Sequence, residues 1–317
     1  MQLIRSFQRL PAIFHEQGCA LTIGNFDGVH LGHQQILRHL RQKADELALP
    51  MVVMLFEPQP REYFLADKAP ARLMRLRDKL HYLAQAGVDY VFCVKFNRTF
   101  AAQRAADFIS TCLVARLNVK FLSVGDDFRF GAEREGDFAL LQHAGKKYGF
   151  EVEDNCSLCL DTQRISSTAI RQALAEDNLA LAATLLGKPY CIYGRVVHGN
   201  KLGRTIGFPT ANIRLQRQVN PIKGVYAVKI QLDDGRQYTG VANVGKRPTL
   251  NGIKHIQLLE VHLFDFSQNL YGQNLQIEFC HKLRNEIKFA SFEALKQQIE
   301  QDVIVAKAYF ATKLAEK

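Results

Sequence analysis

The stretch Gly24-Asn25-Phe26-Asp27-Gly28-Val29-His30-Leu31-Gly32-His33 constrains this chain more than any other. The apolar run Ala20-Leu21-Thr22-Ile23 enters it and reads as a buried strand. A run over residues 31–47 leaves it, with Ile36, Leu37, Leu40 and Leu47 near helical spacing. The stretch is therefore expected at a strand-to-helix turn, where backbone N–H groups face outward and the helix dipole favours an anion. His30 and His33 share one face of the first helical turn. Gly28 and Gly32 keep that face open. Two imidazoles, a helix N-terminus and close backbone approach describe a site for phosphate chemistry. The bare histidine pair also fits a solvated helix face or a metal pair.

Strand and helix patterns alternate through the first half. Residues 51–56, 90–94 and 121–124 read as buried strands, and residues 72–86 and 100–117 as helices. That alternation argues a doubly wound parallel sheet, whose ligands sit beyond the carboxyl ends of the strands. The last strand opens into Gly125-Asp126-Asp127-Phe128-Arg129-Phe130-Gly131, with Arg134 beyond. This segment fits a charged loop as well as a backbone bent around a ligand. Further on, Arg164-Ile165-Ser166-Ser167-Thr168-Ala169-Ile170-Arg171 offers Ser166 or Ser167 as the N-cap of a helix reaching Leu174. It reads as that cap alone, or as a second helix N-terminus presenting hydroxyls and N–H groups to phosphates, with Arg171 adding charge. Gly187 and Pro189 then stop the helical pattern, which sets domains at 1–186 and 187–317.

From Tyr190 the pattern changes to short alternating runs, at residues 190–198, 225–232, 237–244, 257–264 and 274–280, separated by Gly and Asp turns. They suggest an antiparallel β-barrel, covered by a terminal amphipathic helix over residues 291–314. Its chemistry centres on Gly203-Arg204-Thr205-Ile206-Gly207-Phe208-Pro209-Thr210-Ala211-Asn212. Gly194, Gly199 and Gly203 would let this loop approach phosphates. No G-K-[ST] ends it, so it is not a Walker loop, and alone it reads first as a Pro-containing turn.

Composition narrows the classes. The chain of 317 residues is long enough for two cores. Residues 187–317 carry nearly all of the +10 net charge. That surplus suits nucleic acid, a membrane surface or anionic small molecules. No dense basic arm is present, no apolar run approaches the ~18 residues of a membrane span, and the N-terminus lacks a signal-peptide core. A cytoplasmic location is expected. Seven cysteines are scattered, and Cys93 and Cys280 sit in apolar runs that suggest buried thiols. Cys156 and Cys159 form a C-x-x-C without a second Cys/His pair at ligand spacing, which favours ordinary thiols over a zinc or redox site.

The ten-residue string 24–33 resembles the signature of the H-x-G-H nucleotidylyltransferases, and in detail the G-N-F-D-G-V-H-x-G-H of bacterial FAD synthetases. The string 125–131, with Arg134 and Gly136, resembles their second signature, and residues 165–171 their I-S-S-T-x-x-R. Pro209-Thr210-Ala211-Asn212 resembles the P-T-A-N of riboflavin kinases. So do Gly224-Val225-Tyr226-Ala227, the string 240–249, Glu260-Val261-His262-Leu263 and Leu283-Arg284-Asn285-Glu286. Asn269-Leu270-Tyr271-Gly272 departs from their D-L-Y-G by one acidic side chain.

The resemblance covers nearly the whole chain and implies two activities. A Rossmann-like nucleotidylyltransferase domain, 1–186, would transfer AMP from ATP to FMN, giving FAD and pyrophosphate. A riboflavin kinase-like barrel, 187–317, would make the FMN from riboflavin and ATP. In the first, the resemblance implies ATP binding by Gly24, Asn25, Phe26, Asp27, Gly28, His30, His33, Ser166, Ser167, Thr168 and Arg171, with His30 and His33 catalytic. FMN would meet Asp126, Phe128, Phe130 and Arg134. In the second, it implies ATP binding by Gly199, Gly203, Arg204, Thr210 and Asn212, with Mg²⁺ on Thr210 and Asn212. Glu260 would be the general base, and Arg284 and Glu286 would contact the flavin. ATP, riboflavin and FMN are then the partners of an expected monomer, with no nucleic acid and no membrane. The rival readings, an RNA-binding protein or a class I aminoacyl-tRNA synthetase relative, lack a K-M-S-K-S-like string and an aromatic-rich basic strand pair.

Overall fold

The strand that feeds the 24–33 turn lies inside a parallel sheet. The computed structural model describes residues 1–155, 159–160, 163–199, 207–215, 219–248 and 255–315. Contacts divide them into two units, residues 1–70 with 74–167, and residues 71–73 with 168–317. The first is built on β1 (Gln2–Ile4), β2 (Cys19–Ile23), β3 (Met51–Glu57), β4 (Tyr90–Lys95), β5 (Val119–Val124) and β6 (Glu151–Asp154). All pair in parallel, in the order β1-β4-β3-β2-β5-β6. The order reverses between β2 and β5, so the 24–33 turn and the 125–131 segment leave the two strands that flank the switch point. That crevice is where open α/β sheets bind ligands.

Alternate residues of each strand supply opposite faces, which is why these strands read as continuous apolar runs. Leu21, Ile23, Val52 and Met54 join one core, and Ala20, Met51, Val53 and Leu55 the other. Helix α1 (Leu31–Glu46) packs Leu37, Leu40 and Ala44 into the second core, with Leu83 of α2 (Leu76–Gln85). Helix α3 (Phe108–Arg116) and α4 (Phe138–Tyr148) cover the first core through Phe108, Leu113, Leu141 and Ala144.

Two helical expectations change. The single helix at 100–117 is broken into Arg98–Ala101, Ala105–Asp107 and α3. The break serves the neighbouring 131–136 turn: Ala132 N–H donates to the Gln103 carbonyl (2.8 Å), and the Glu135 carboxylate accepts from Ala105 N–H (2.7 Å). The helix expected from Arg72 starts at Leu76, because Met74 N–H is used by the Asp27 carboxylate (3.1 Å). Strands β1 and β6 and helix α4 were not anticipated. Cys93 is buried as expected, whereas Cys280 is only half-buried. Cys156 lies outside the described residues.

A short antiparallel pair, β7 (Cys159–Leu160) and β8 (Gln163–Arg164), precedes α5 (Ser167–Ala175) and α6 (Leu179–Leu186). In the second unit, β9 (Cys191–Val197), β10 (Ala211–Arg214), β11 (Gly224–Leu232), β12 (Gln237–Pro248), β13 (His255–Leu263) and β14 (Asn274–Arg284) close a barrel. Its order is β10-β13-β12-β11-β14-β9, antiparallel throughout. Strand β10 was hidden behind the Pro209 turn signal. Ala306 and Phe310 of the terminal helix α7 (Phe292–Ala315) pack on Ala227 and Phe264 of the barrel wall. Among the described residues, no helix is long and apolar enough to cross a membrane.

Candidate active sites

In the sheet unit, the turn after β2 holds left-handed backbone at Phe26 (φ 46°), Gly28 (φ 90°) and Val29 (φ 41°). For side-chain-bearing residues that conformation is disfavoured and needs support from its surroundings. Support comes from three directions. The Asn25 carbonyl accepts from Lys79 Nζ (2.5 Å). The Asp27 carbonyl accepts from Ser167 Oγ (2.8 Å), and Asp27 Oδ1 accepts from Met74 N–H. Asp27 and Lys79 are both buried.

His30 is the N-cap of α1: its Nδ1 accepts from His33 N–H (3.3 Å). That hydrogen bond places the proton of a neutral His30 on Nε2. The two imidazoles stack with centroids 3.6 Å apart, and Phe26 packs on His33 at 4.8 Å. A Cβ at position 32 would lie 3.3 Å from the His30 ring and crowd the stack by a few tenths of an ångström. The pair is thus one stacked unit at a helix N-terminus, and among the described residues no group of three or more His, Cys, Asp or Glu is placed to hold a metal.

The other expected residues divide. Ser167 is joined to the 24–33 turn, but through its hydroxyl on the Asp27 carbonyl. Thr168 and Arg171 fall in the second unit, where Arg171 Nε donates to the Ala71 carbonyl (2.6 Å). Asp126 and Arg134 are exposed. Phe128 is half-buried and stacks on Phe130 at 5.5 Å, while Phe130 packs into the core against Phe108. An aromatic shelf escaped the sequence reading: Tyr63 and Phe64, both exposed, meet Phe96, which meets Phe56 and Phe100. Lys79 escaped it as well, since a lysine in an amphipathic helix reads as solvent-facing.

The barrel places its expected residues in register. Asn212 of β10 is directly opposite Glu260 of β13, and Glu260 is directly opposite Asn243 of β12. The row continues to Val225 of β11 and Arg284 of β14. Directly opposed residues share a face, and the inward positions on either side are apolar: Ala242, Val244, Leu259 and Val261. The polar row is therefore on the outer wall. A cavity of about 260 Å³ covers it, lined by Glu260, Asn243, Arg284 and Glu286, by the rings of Phe208, Phe289 and Phe292, and by Leu295 and Ile299 of α7. A second cleft, of about 490 Å³, is lined by Gly199, Asn212 and Tyr271. Thr210 lines both.

Asn212 is buried, its Nδ2 donates to the Thr210 carbonyl (3.2 Å), and its Oδ1 has no hydrogen-bond partner among the described residues. A Cβ at position 199 would run into this amide. The Arg284 guanidinium is held on buried Asp302 of α7 by Nε and Nη2, each at 2.8 Å from a carboxylate oxygen. Glu286 accepts from Asn243 Nδ2 at 3.4 Å. Asn243, flanked by two carboxylates, was visible in the sequence only as part of a motif. Gly203 and Arg204 lie outside the described residues.

A family model described as FAD synthetase matches residues 13–169, and one described as riboflavin kinase matches residues 186–310. A bifunctional riboflavin kinase/FMN adenylyltransferase of Haemophilus influenzae is 70% identical over 98% of this chain and 99% of its own length. Its counterpart in Escherichia coli (strain K12) is 58% identical over 98% of each chain. A crystal structure of a macrolide-efflux protein from Streptococcus pneumoniae superposes with a TM-score of 0.76 at 30% identity, covering 95% of this chain and 97% of that one. With the parallel sheet, the closed barrel and both sets of motifs in place, the chain belongs to the family of bifunctional riboflavin kinases/FMN adenylyltransferases.

Proposed function

We propose that each unit carries one of the family's two reactions, with the residues expected from the sequence in the roles that follow. The barrel transfers the γ-phosphoryl group of ATP to the 5′-hydroxyl of riboflavin. The 1–186 domain then transfers AMP from a second ATP to FMN, giving FAD and pyrophosphate. The cytoplasm, which supplies ATP, is the proposed location.

One observation carries the kinase reading. Thr210 lines both cavities, and Asn212 and Glu260 stand opposite one another beside it. The aromatic and apolar cavity suits a flavin ring, and the cleft beside it, with Gly199 and Asn212, suits a nucleotide. Glu260, in the flavin cavity, accepts the proton of the ribityl hydroxyl as that oxygen attacks the γ-phosphorus and the bond to ADP breaks. A positioned base of this kind contributes about 10²–10⁴-fold. Arg284 acts indirectly: held by Asp302, it fixes the wall of the flavin cavity, while Glu286 stays at its rim.

The donor set fits magnesium. The orphaned Asn212 oxygen and the Thr210 hydroxyl are hard oxygen donors, and Mg²⁺ takes few protein ligands, filling its shell with water and substrate phosphates. Held by Thr210 and Asn212, such an ion would supply charge neutralisation for the transferring phosphoryl group.

The adenylyl transfer needs no base, because its nucleophile is the FMN phosphate, already an anion. An FMN oxygen attacks the α-phosphorus and pyrophosphate leaves. His30, His33 and the backbone of the turn stabilise the charge, with Ser166 and Ser167 of the same unit on the departing phosphates. The Phe128 ring and the Tyr63–Phe64 shelf offer the flavin planar surfaces, with Asp126 and Arg134 at the edge. The test of the kinase assignment is FMN formation from riboflavin and ATP by Glu260→Gln. Loss of two or more orders of magnitude supports it, and a parental rate refutes it.

A further inference from the structure

We infer that Lys79 is a positioning residue for adenylyl transfer: its ammonium holds the Asn25–Phe26 peptide so that the Phe26 N–H faces the bound phosphates. The inference rests on the adenylyl-site reading above. Lysine is almost never fully buried unless its charge is compensated, yet Lys79 is 1% exposed. It sits in the first turns of α2, and its Nζ reaches the Asn25 carbonyl at 2.5 Å. A trans peptide is planar, so the carbonyl of one residue and the N–H of the next point in opposite directions. Drawing the Asn25 oxygen towards α2 therefore turns the Phe26 N–H away from α2.

The device is needed because Phe26 is left-handed at φ 46°. A peptide flip there would relieve the backbone and swing the N–H out of place. The same arrangement recurs two residues on: Ser167 Oγ draws in the Asp27 carbonyl, which turns the Gly28 N–H the opposite way. The Phe26 N–H, fixed in this way, is a preorganised donor next to the His30–His33 stack.

Two variants of the full chain test this. Lys79→Met keeps the length and removes the donor, and Lys79→Gln keeps an N–H donor without the charge. FAD formation is measured from supplied FMN and ATP, and FMN formation from riboflavin in the same preparations. Lys79→Met is expected to lower kcat for FAD formation by about 10²-fold with KM for FMN nearly unchanged, as for the loss of one preorganised donor. Lys79→Gln is expected to recover much of that loss, and FMN formation to stay parental in both. A parental kcat in Lys79→Met overturns the inference. So does equal loss in the two variants, which would mean that bulk and folding, not the hydrogen bond, are what matters. His30→Ala separates the two claims: if it too makes FAD at the parental rate, the site reading itself is wrong, whereas an inactive His30→Ala beside a parental Lys79→Met removes only the role of Lys79.

Discussion

Gly199→Ala tests the kinase geometry through a contact that can be measured in advance. A Cβ at position 199 would lie 2.5 Å from Cγ and Nδ2 of Asn212 and 2.7 Å from its Oδ1. Ordinary contacts between such atoms need about 3.5 Å. Gly199 is not in the left-handed region, so its own backbone tolerates the change, and the strain passes to Asn212. The amide must retreat by roughly 1 Å, a displacement that costs on the order of 10²-fold in rate when it moves a group that positions substrate. That is about 2.7 kcal/mol in the barrier. The assay is FMN formation from riboflavin and ATP, with FAD formation from supplied FMN as the internal reference. We expect the first to fall about 100-fold and the second to hold. Gly207→Ala is the contrast: Gly207 is left-handed (φ 87°) and no described residue comes within 4 Å of a Cβ there, so substitution strains backbone without touching Asn212. If Gly199→Ala keeps its kinase rate, Asn212 does not position the nucleotide.

Asp302→Ala removes the carboxylate from the half-buried Arg284 guanidinium and should destabilise the barrel unit by about 1–3 kcal/mol, read from denaturant unfolding. Replacing both partners by apolar residues should recover most of that loss. Burial pushes the Lys188 ammonium down to about 8 from 10.5. Between those values the unfolded chain holds more protons than the folded one, so stability from this group rises with pH across that window. The difference in unfolding free energy between the parent and Lys188→Met, followed from pH 7 to pH 11, should show that rise, and a flat difference would contradict it. Burial raises the Cys191 thiol to about 11 and the Cys280 thiol to about 12. Both should therefore resist alkylation at pH 8 in the native protein and react after unfolding, as mass spectrometry would show.

Local chemistry made the 24–33 turn readable, because glycines, a strand and a capped helix adjoin one another in the chain. The stacking of His30 on His33 follows from that spacing. What distant segments contribute was not readable there. Lys79 reaches the turn only through the fold, and a lysine in a helix carries no mark of such a task; Ser167 was joined to the turn only through the resemblance, and its bond to the Asp27 carbonyl was not visible. The same applies to the barrel: the row of Asn212, Glu260 and Asn243 exists because three strands pair in one register. Within the motifs each residue was visible, but their alignment was not. The broken helix over 98–116 has the same cause, since Gln103 and Ala105 meet the demands of a turn thirty residues later. The Arg284–Asp302 clamp was likewise not readable, because the partner of Arg284 is on the terminal helix.

The central claim is that two chemically distinct sites share this chain, one with a carboxylate base and one without. Its most direct test is product analysis by chromatography after incubation with riboflavin, ATP and Mg²⁺. His30→Ala should accumulate FMN and make no FAD, and Glu260→Gln should leave riboflavin unconverted yet make FAD when FMN is supplied. If His30→Ala also loses FMN formation, or Glu260→Gln also loses FAD formation from supplied FMN, the division of the two reactions between the two sites is contradicted.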